Sequence, residues 1–172
     1  MSAVAAAKAK AGAAAKAAAG GEPTTPPEER AHAAAVRHGA GTGTGAGTGG
    51  VARAELPPSR IDMDCRQKYV LCEVRGPGAD EKRYIVRGSR LASYHVNCAE
   101  PLLEELKACE GVEYSVLGGG RIEASSERRT IQVYGHSYGF PWANDEFKHD
   151  VAAAVLKLLY PAYLVTTSNE GY

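Results

Sequence analysis

The sequence predicts a single mixed-sheet α/β (α+β) domain of about five to six strands and two packed helices. Three observations carry that prediction. Apolar β-rich runs lie at 68–74 and 83–88, two segments of helical period lie near 98–109 and 146–160, and the composition breaks sharply near residue 60. Beyond the break the elements read in the order ββαβββαβ, which places both helices on one sheet.

Residues 1–60 are expected to form a disordered tail. "AAAKAKAGAAAKAAAGG" is followed by the Pro/Thr/Glu-rich "GEPTTPPEER" and then by "GAGTGTGAGTGG". Large apolar side chains are almost absent, so burial does not offset the entropy of ordering. The alanine block favours transient helix, and the glycine block is expected not to order at all. Lys8, Lys10 and Lys16 with no acidic residue among the first twenty residues fit a targeting peptide loosely. Transit peptides are rich in Arg and Ser, and this stretch has no arginine and only Ser2. The reading is therefore cytoplasmic, with organelle import the lesser alternative.

The domain is placed at 61–172. "KYVLCEV" from Lys68 and "RYIVRG" from Arg83 read as two strands joined across the turn "GPGADEK". A helix follows, with Leu102, Leu103, Leu106 and Cys109 on one face and Gly111 at its end. Its start is expected between Asn97 and Pro101, with Asn97 as cap and Glu100 completing a capping box. "VEYSVLGGGRIEAS" and "RTIQVYG" supply two or three more strands around glycine-rich turns. "EFKHDVAAAVLKLLY" is the second helix, with Phe147, Val151, Val155 and Leu158 stacked on one side; Pro161 stops it, and "AYLVTTS" is a last strand.

Charge and cysteine usage narrow the function. Twenty basic and twenty acidic residues leave no net charge, which argues against nucleic-acid and membrane-surface partners. No apolar run approaches the roughly 20 residues that span a bilayer. Cys65, Cys72, Cys98 and Cys109 show no C-x-x-C spacing, so they read as thiols and not as a zinc site. Three short motifs mislead. "RHG" at Arg37–Gly39 and the "GTGTGAGTGG" tract lie in low complexity, where neither phosphatase nor dinucleotide chemistry has its strand. "DMDCR" at Asp62 lacks the preceding apolar strand.

The residues that point to chemistry surround His95. Free amides and the positive end of a helix dipole make an anion site beside it. Arg121 follows three glycines in "LGGGRI" and offers a planar fork for phosphate. "VYGHSYG" carries His136 and Ser137 between glycines, and Lys68 opens a strand. Each has a bland counterpart: a polar histidine at a junction, a hairpin arginine, ordinary turn chemistry, a snorkelling lysine. Together they favour phosphate chemistry.

At these residues the chain resembles the phosphohistidine phosphatase (Janus) family. The matching pieces run in order: "KYVL", "IVRG", "YH" at Tyr94–His95, "LGGGRI", "VYGHS", "YP" and the C-terminal "NEGY". They cover 61–172 and none of the tail. The resemblance implies a metal-independent phosphatase without cofactor, acting on phosphohistidine in proteins and on phospholysine as a second substrate. It makes His95 the catalytic group and assigns phosphate or substrate contacts to Lys68, Tyr94, Val96, Arg121, Ser137 and Gly139. A monomer is expected. Two departures stand out: Asn97 replaces the usual aspartate, and "YGFPWANDEFKHD" after Ser137 is longer than usual, which bears on Gly139 and brings Phe140 and Trp142 toward the substrate groove.

The phosphorus–nitrogen bond breaks readily once the leaving imidazole is protonated, so positioning, charge stabilisation and one proton shuttle suffice. His95 serves either as acid/base or as a nucleophile. Two rivals are a phosphoprotein-binding module without turnover and a nucleotide-binding fold using the glycine loop, the latter lacking any Mg²⁺-ligating motif.

Overall fold

The computed structural model describes residues 25–43, 56–76 and 82–171. Its elements are α1 (Pro27–Val36), β1 (His38–Ala40), β2 (Ser59–Arg60), β3 (Cys65–Arg75), β4 (Lys82–Ser89), α2 (His95–Lys107), β5 (Glu113–Ser125), β6 (Thr130–Tyr134), α3 (His149–Leu159) and β7 (Leu164–Ser168). The strands form one mixed sheet in the order β2-β4-β3-β5-β6-β7, and β1 pairs with the start of β5. The β2–β4 and β6–β7 pairs are parallel and the others antiparallel. The α+β class and the packed helices are as expected.

Strand alternation sends the side chains of β3 to two cores. Val70, Cys72 and Val74 face α2, where Val96, Ala99, Leu102, Leu103 and Leu106 are buried. Tyr69 and Leu71 face α3 with Ala152, Ala153 and Leu156. The expected face of the first helix is thus the buried one. The second helix differs: Leu158 is 82% exposed, and the buried face is His149, Ala152, Ala153, Val155 and Leu156. Small alanines let α3 lie close to the sheet, so the bulky leucine falls outside the contact.

The glycine run is not a turn. It lies in the middle of the thirteen-residue strand β5, where the pairing with β3 shifts at Leu71/Cys72 and leaves Leu117 as the extra residue. Such a bulge reverses the parity of everything beyond it. Val116 therefore packs on the α2 side while Ile122, also even-numbered, packs on the α3 side. Arg121 is turned to the α2 side by the same shift.

The first sixty residues depart from the expected structureless tail over 25–43 and 56–60. Pro27 at the first helical position and Glu28 and Glu29 in the first turn start α1. Part of the glycine tract is laid against the domain: the Gly41 N–H donates to Val112 O at 2.6 Å and Thr42 N–H to Lys107 O at 3.1 Å. Glycine here permits contact, because a Cβ at Gly41 would lie 1.9 Å from the Cys109 carbonyl oxygen. Leu56 is buried in the α2-side core, and β2 extends the sheet. Residues 1–24 and 44–55, and most of the predicted turn "GPGADEK", lie outside the described residues.

A Cβ on Gly120 would stand 2.4 Å from the Tyr134 carbonyl oxygen and 3.1 Å from that of Gly135. Backbone cannot rotate away as a side chain can. Gly120→Ala is therefore expected to cost about 1–3 kcal/mol, as overpacking in a close-packed interior does. A fall in the urea midpoint at unchanged slope would show it.

Candidate active site

Helix α2 begins at His95 itself, earlier than the capping pattern suggested. Tyr94 is extended (φ −130°, ψ 163°) and acts as N-cap. Its N–H donates to Asn97 Oδ1 at 3.0 Å, and the Asn97 N–H donates back to the Tyr94 carbonyl at 3.2 Å. Asn97 thus holds the third helical position of a box expected one turn later. Pro101 sits inside the helix. His95 and Val96 accordingly occupy the first turn, where N–H groups have no intrahelical acceptor.

His95 is only 5% exposed. Its Nε2 lies 2.9 Å from the carbonyl oxygen of Gly120. A carbonyl only accepts, so Nε2 carries the proton and Nδ1 keeps a lone pair. The ring sits against β5 where a side chain would obstruct it: a Cβ on Gly119 would be 3.0 Å from His95 Cδ2, 3.1 Å from Ser137 Cβ and 2.6 Å from the Tyr69 carbonyl oxygen. Gly119 is the floor on which His95 and Ser137 meet.

Lys68 and Arg121 are direct cross-strand partners between β3 and β5. Lys68 is half-buried, with Nζ 3.5 Å from the Ala92 carbonyl oxygen. Burial, and then the charge of Arg121, pull its pKa down. Burial also dominates at His95, with Lys68, Arg121 and His136 adding to it, and the imidazole is pushed down to about 4. The ring is neutral at pH 7 amid basic neighbours, a setting that favours an anion.

Ser137 is 1% exposed, and its Oγ accepts the Phe140 N–H at 3.0 Å. The hydroxyl proton remains available for donation. Gly139 is buried behind it. The long segment after Ser137 sinks Phe140 and Trp142 into the two cores. Phe140 is fully buried on the α2 side, and Trp142 is buried on the α3 side, edge-on to His149 with ring centroids 5.3 Å apart. The segment therefore crosses from one core to the other. His149 is a second buried histidine with a structural role. Its Nε2 bonds the Gly135 carbonyl at 2.9 Å and its Nδ1 the Tyr69 hydroxyl at 2.6 Å, so both nitrogens are satisfied.

The predicted residues thus converge in part. Lys68 and Arg121 both act on the proton affinity of His95, and Ser137 adjoins His95 across Gly119. Tyr94 is half-buried against the core, and the Val96 side chain is buried there, which leaves its amide as the group at the site. The sequence reading missed the Gly120 carbonyl that orients His95. A backbone acceptor leaves no mark on residue type; the glycine run was the only signal.

A folded-state pKa near 4, below the ordinary 6.5, means the unfolded chain takes up the proton first as pH falls. The stability His95 contributes is complete above about pH 6.5 and is lost progressively down to about pH 4, a term of roughly 3 kcal/mol. His95→Gln, whose amide can still donate to Gly120, is expected to flatten the fall in urea midpoint between pH 7 and 4.5.

A sequence model described as the Janus/Ocnus family (Ocnus) matches residues 53–164. The 14 kDa phosphohistidine phosphatase of Sus scrofa is 36% identical over 124 residues, spanning 69% of this chain and 94% of that protein. The protein of the same name from Homo sapiens is also 36% identical, with 69% and 95% covered. The sex-regulated protein janus-A of Drosophila pseudoobscura pseudoobscura is 34% identical over 123 residues, covering 69% of this chain and 79% of its own. The glycine-floored histidine site therefore stands in a protein of the Janus/Ocnus family.

Proposed function

We propose that this chain is a metal-independent protein phosphohistidine phosphatase. The observation that carries the reading is a buried, neutral histidine held at a helix N-terminus beside two cations, Lys68 and Arg121. Relatives named 14 kDa phosphohistidine phosphatase support it. The substrates are phosphohistidine-bearing proteins, with phospholysine offering the same P–N bond.

In this mechanism the phosphoryl oxygens rest on Lys68, Arg121, the Ser137 hydroxyl and the amides of Val96 and Gly139, with Tyr94 a substrate contact at the helix N-cap. These groups supply the positive charge, and no cofactor takes part. A water attacks phosphorus as the P–N bond breaks. His95 Nδ1 takes the water proton and returns it to the leaving nitrogen. A bound phosphoryl dianion offsets the cations and raises the proton affinity of His95 when the transfer requires it. We place the enzyme in the cytoplasm as a monomer, without nucleic-acid or membrane partners. No helix among the described residues is long and apolar enough to cross a membrane.

A phosphoprotein-binding module would use the same cradle without turnover, and the janus-A relatives keep that reading in view. Phosphate release separates the two. His95→Ala is expected to abolish release from a phosphohistidine protein, while far-UV circular dichroism is retained. Arg121→Ala and Lys68→Ala are expected to weaken inorganic phosphate binding by about tenfold each, in the range for a charge-assisted contact. Release by the wild type should be the same with and without chelator. Turnover surviving in His95→Ala would sink the assignment.

A further inference from the structure

The segment Thr25–Gly43 precedes the span matched by the family, yet it is built onto the loop that carries Ser137. Ala33 of α1 is 1% exposed and shares a core with Val96 and Phe140. Its Cβ would meet one on Gly139 at 3.2 Å, so α1 backs that part of the loop. β1 pairs in register with β5, His38 opposite Ser115, and the Val116 N–H donates to the Arg37 carbonyl at 2.8 Å.

Between α1 and β1, the Arg37 side chain joins two places distant in sequence. One terminal nitrogen of its guanidinium donates to the Leu117 carbonyl at 3.0 Å and to the Pro141 carbonyl at 2.7 Å. Leu117 is the bulge residue that sets the face of Arg121. Pro141 ends the stretch in which Ser137 Oγ holds the Phe140 amide. A residue that served only to anchor α1 would not need to bond both; this one ties the bulge to the loop.

We propose that Thr25–Gly43 is a clamp on the substrate loop and that Arg37 is its positioning residue, fixing Ser137 and Gly139 for the phosphoryl group. The proposal rests on the phosphate-site reading above and adds to it a segment that composition alone assigned to a tail. Arg37 touches no reacting atom; it acts through the loop.

The test uses the full chain with Arg37→Ala and Arg37→Lys. Hydrogen exchange is read at the Phe140 amide, with the β3 amide of Leu71 as control, alongside titration with inorganic phosphate and steady-state kinetics on a phosphohistidine protein. In Arg37→Ala, exchange at Phe140 is expected to accelerate about tenfold or more with Leu71 unchanged. Phosphate affinity and kcat/KM should fall about tenfold, mostly through KM, as expected when a binding group loses its position. Arg37→Lys should recover part of each. Unchanged Phe140 exchange, or Phe140 and Leu71 accelerating together, overturns the clamp. Accelerated Phe140 exchange with weakened phosphate binding, in a chain that releases no phosphate even as wild type, supports the clamp and overturns the phosphatase reading instead.

Discussion

The hydrogen bond from His95 to the Gly120 carbonyl is the constraint on which the rest of the site depends. To make it, the N-terminus of α2 must rest on the sheet itself, and no strand with side chains at that point allows such an approach. Gly119 lies under the ring, and the Gly120 backbone is closed in from the far side by Tyr134 and Gly135. The bond also selects the tautomer, leaving the lone pair on Nδ1. A single contact thus ties three glycines, a helix start and a proton position together. The bulge at Leu117 completes the arrangement, since without that extra residue Arg121 would face α3.

The same geometry carries an electrostatic cost. Lys68 and Arg121 are like charges directly opposite across two strands, which destabilises a sheet. His95 gives up its own charge under burial and their influence. An anion bound across such a pair would reverse the sign of that term. Stability comes from elsewhere: two cores, one on each face, and the satisfied pair of bonds that His149 makes beneath the loop. The two buried histidines therefore differ in role. Both nitrogens of His149 are occupied by structure, while the bond to Gly120 engages only Nε2 of His95.

What could be read from residue order was what repeats. The apolar run within β3 announced a strand, and the helical period of Leu102, Leu103 and Leu106 announced a helix and its buried face. What could not be read lay in single events. A bulge changes parity without changing composition, so the glycine run looked like a turn. Alanines at 152–154 carry no size contrast, so Leu158 was assigned inward although it is exposed. The stretch Pro26–Pro27–Glu28–Glu29 did hold a helix-start signal, but the surrounding low complexity outweighed it. Its order comes from contacts with Phe140, Gly139 and β5, which are more than seventy residues away in sequence and invisible locally.

Asn97 shows how a departure from a family pattern can be locally consistent. At the third helical position its Oδ1 takes the Tyr94 N–H, a task an aspartate would perform equally well. Its Nδ2 also donates to Glu100 Oε2 at 3.3 Å. An aspartate could not donate there and would instead face Glu100 with like charge one turn away. The change therefore preserves the cap while accommodating Glu100. It also keeps a carboxylate out of the first turn, where one would raise the proton affinity of His95. The neutral histidine in this chain thus follows from burial and from two cations, with no anion close by on its own helix to oppose them.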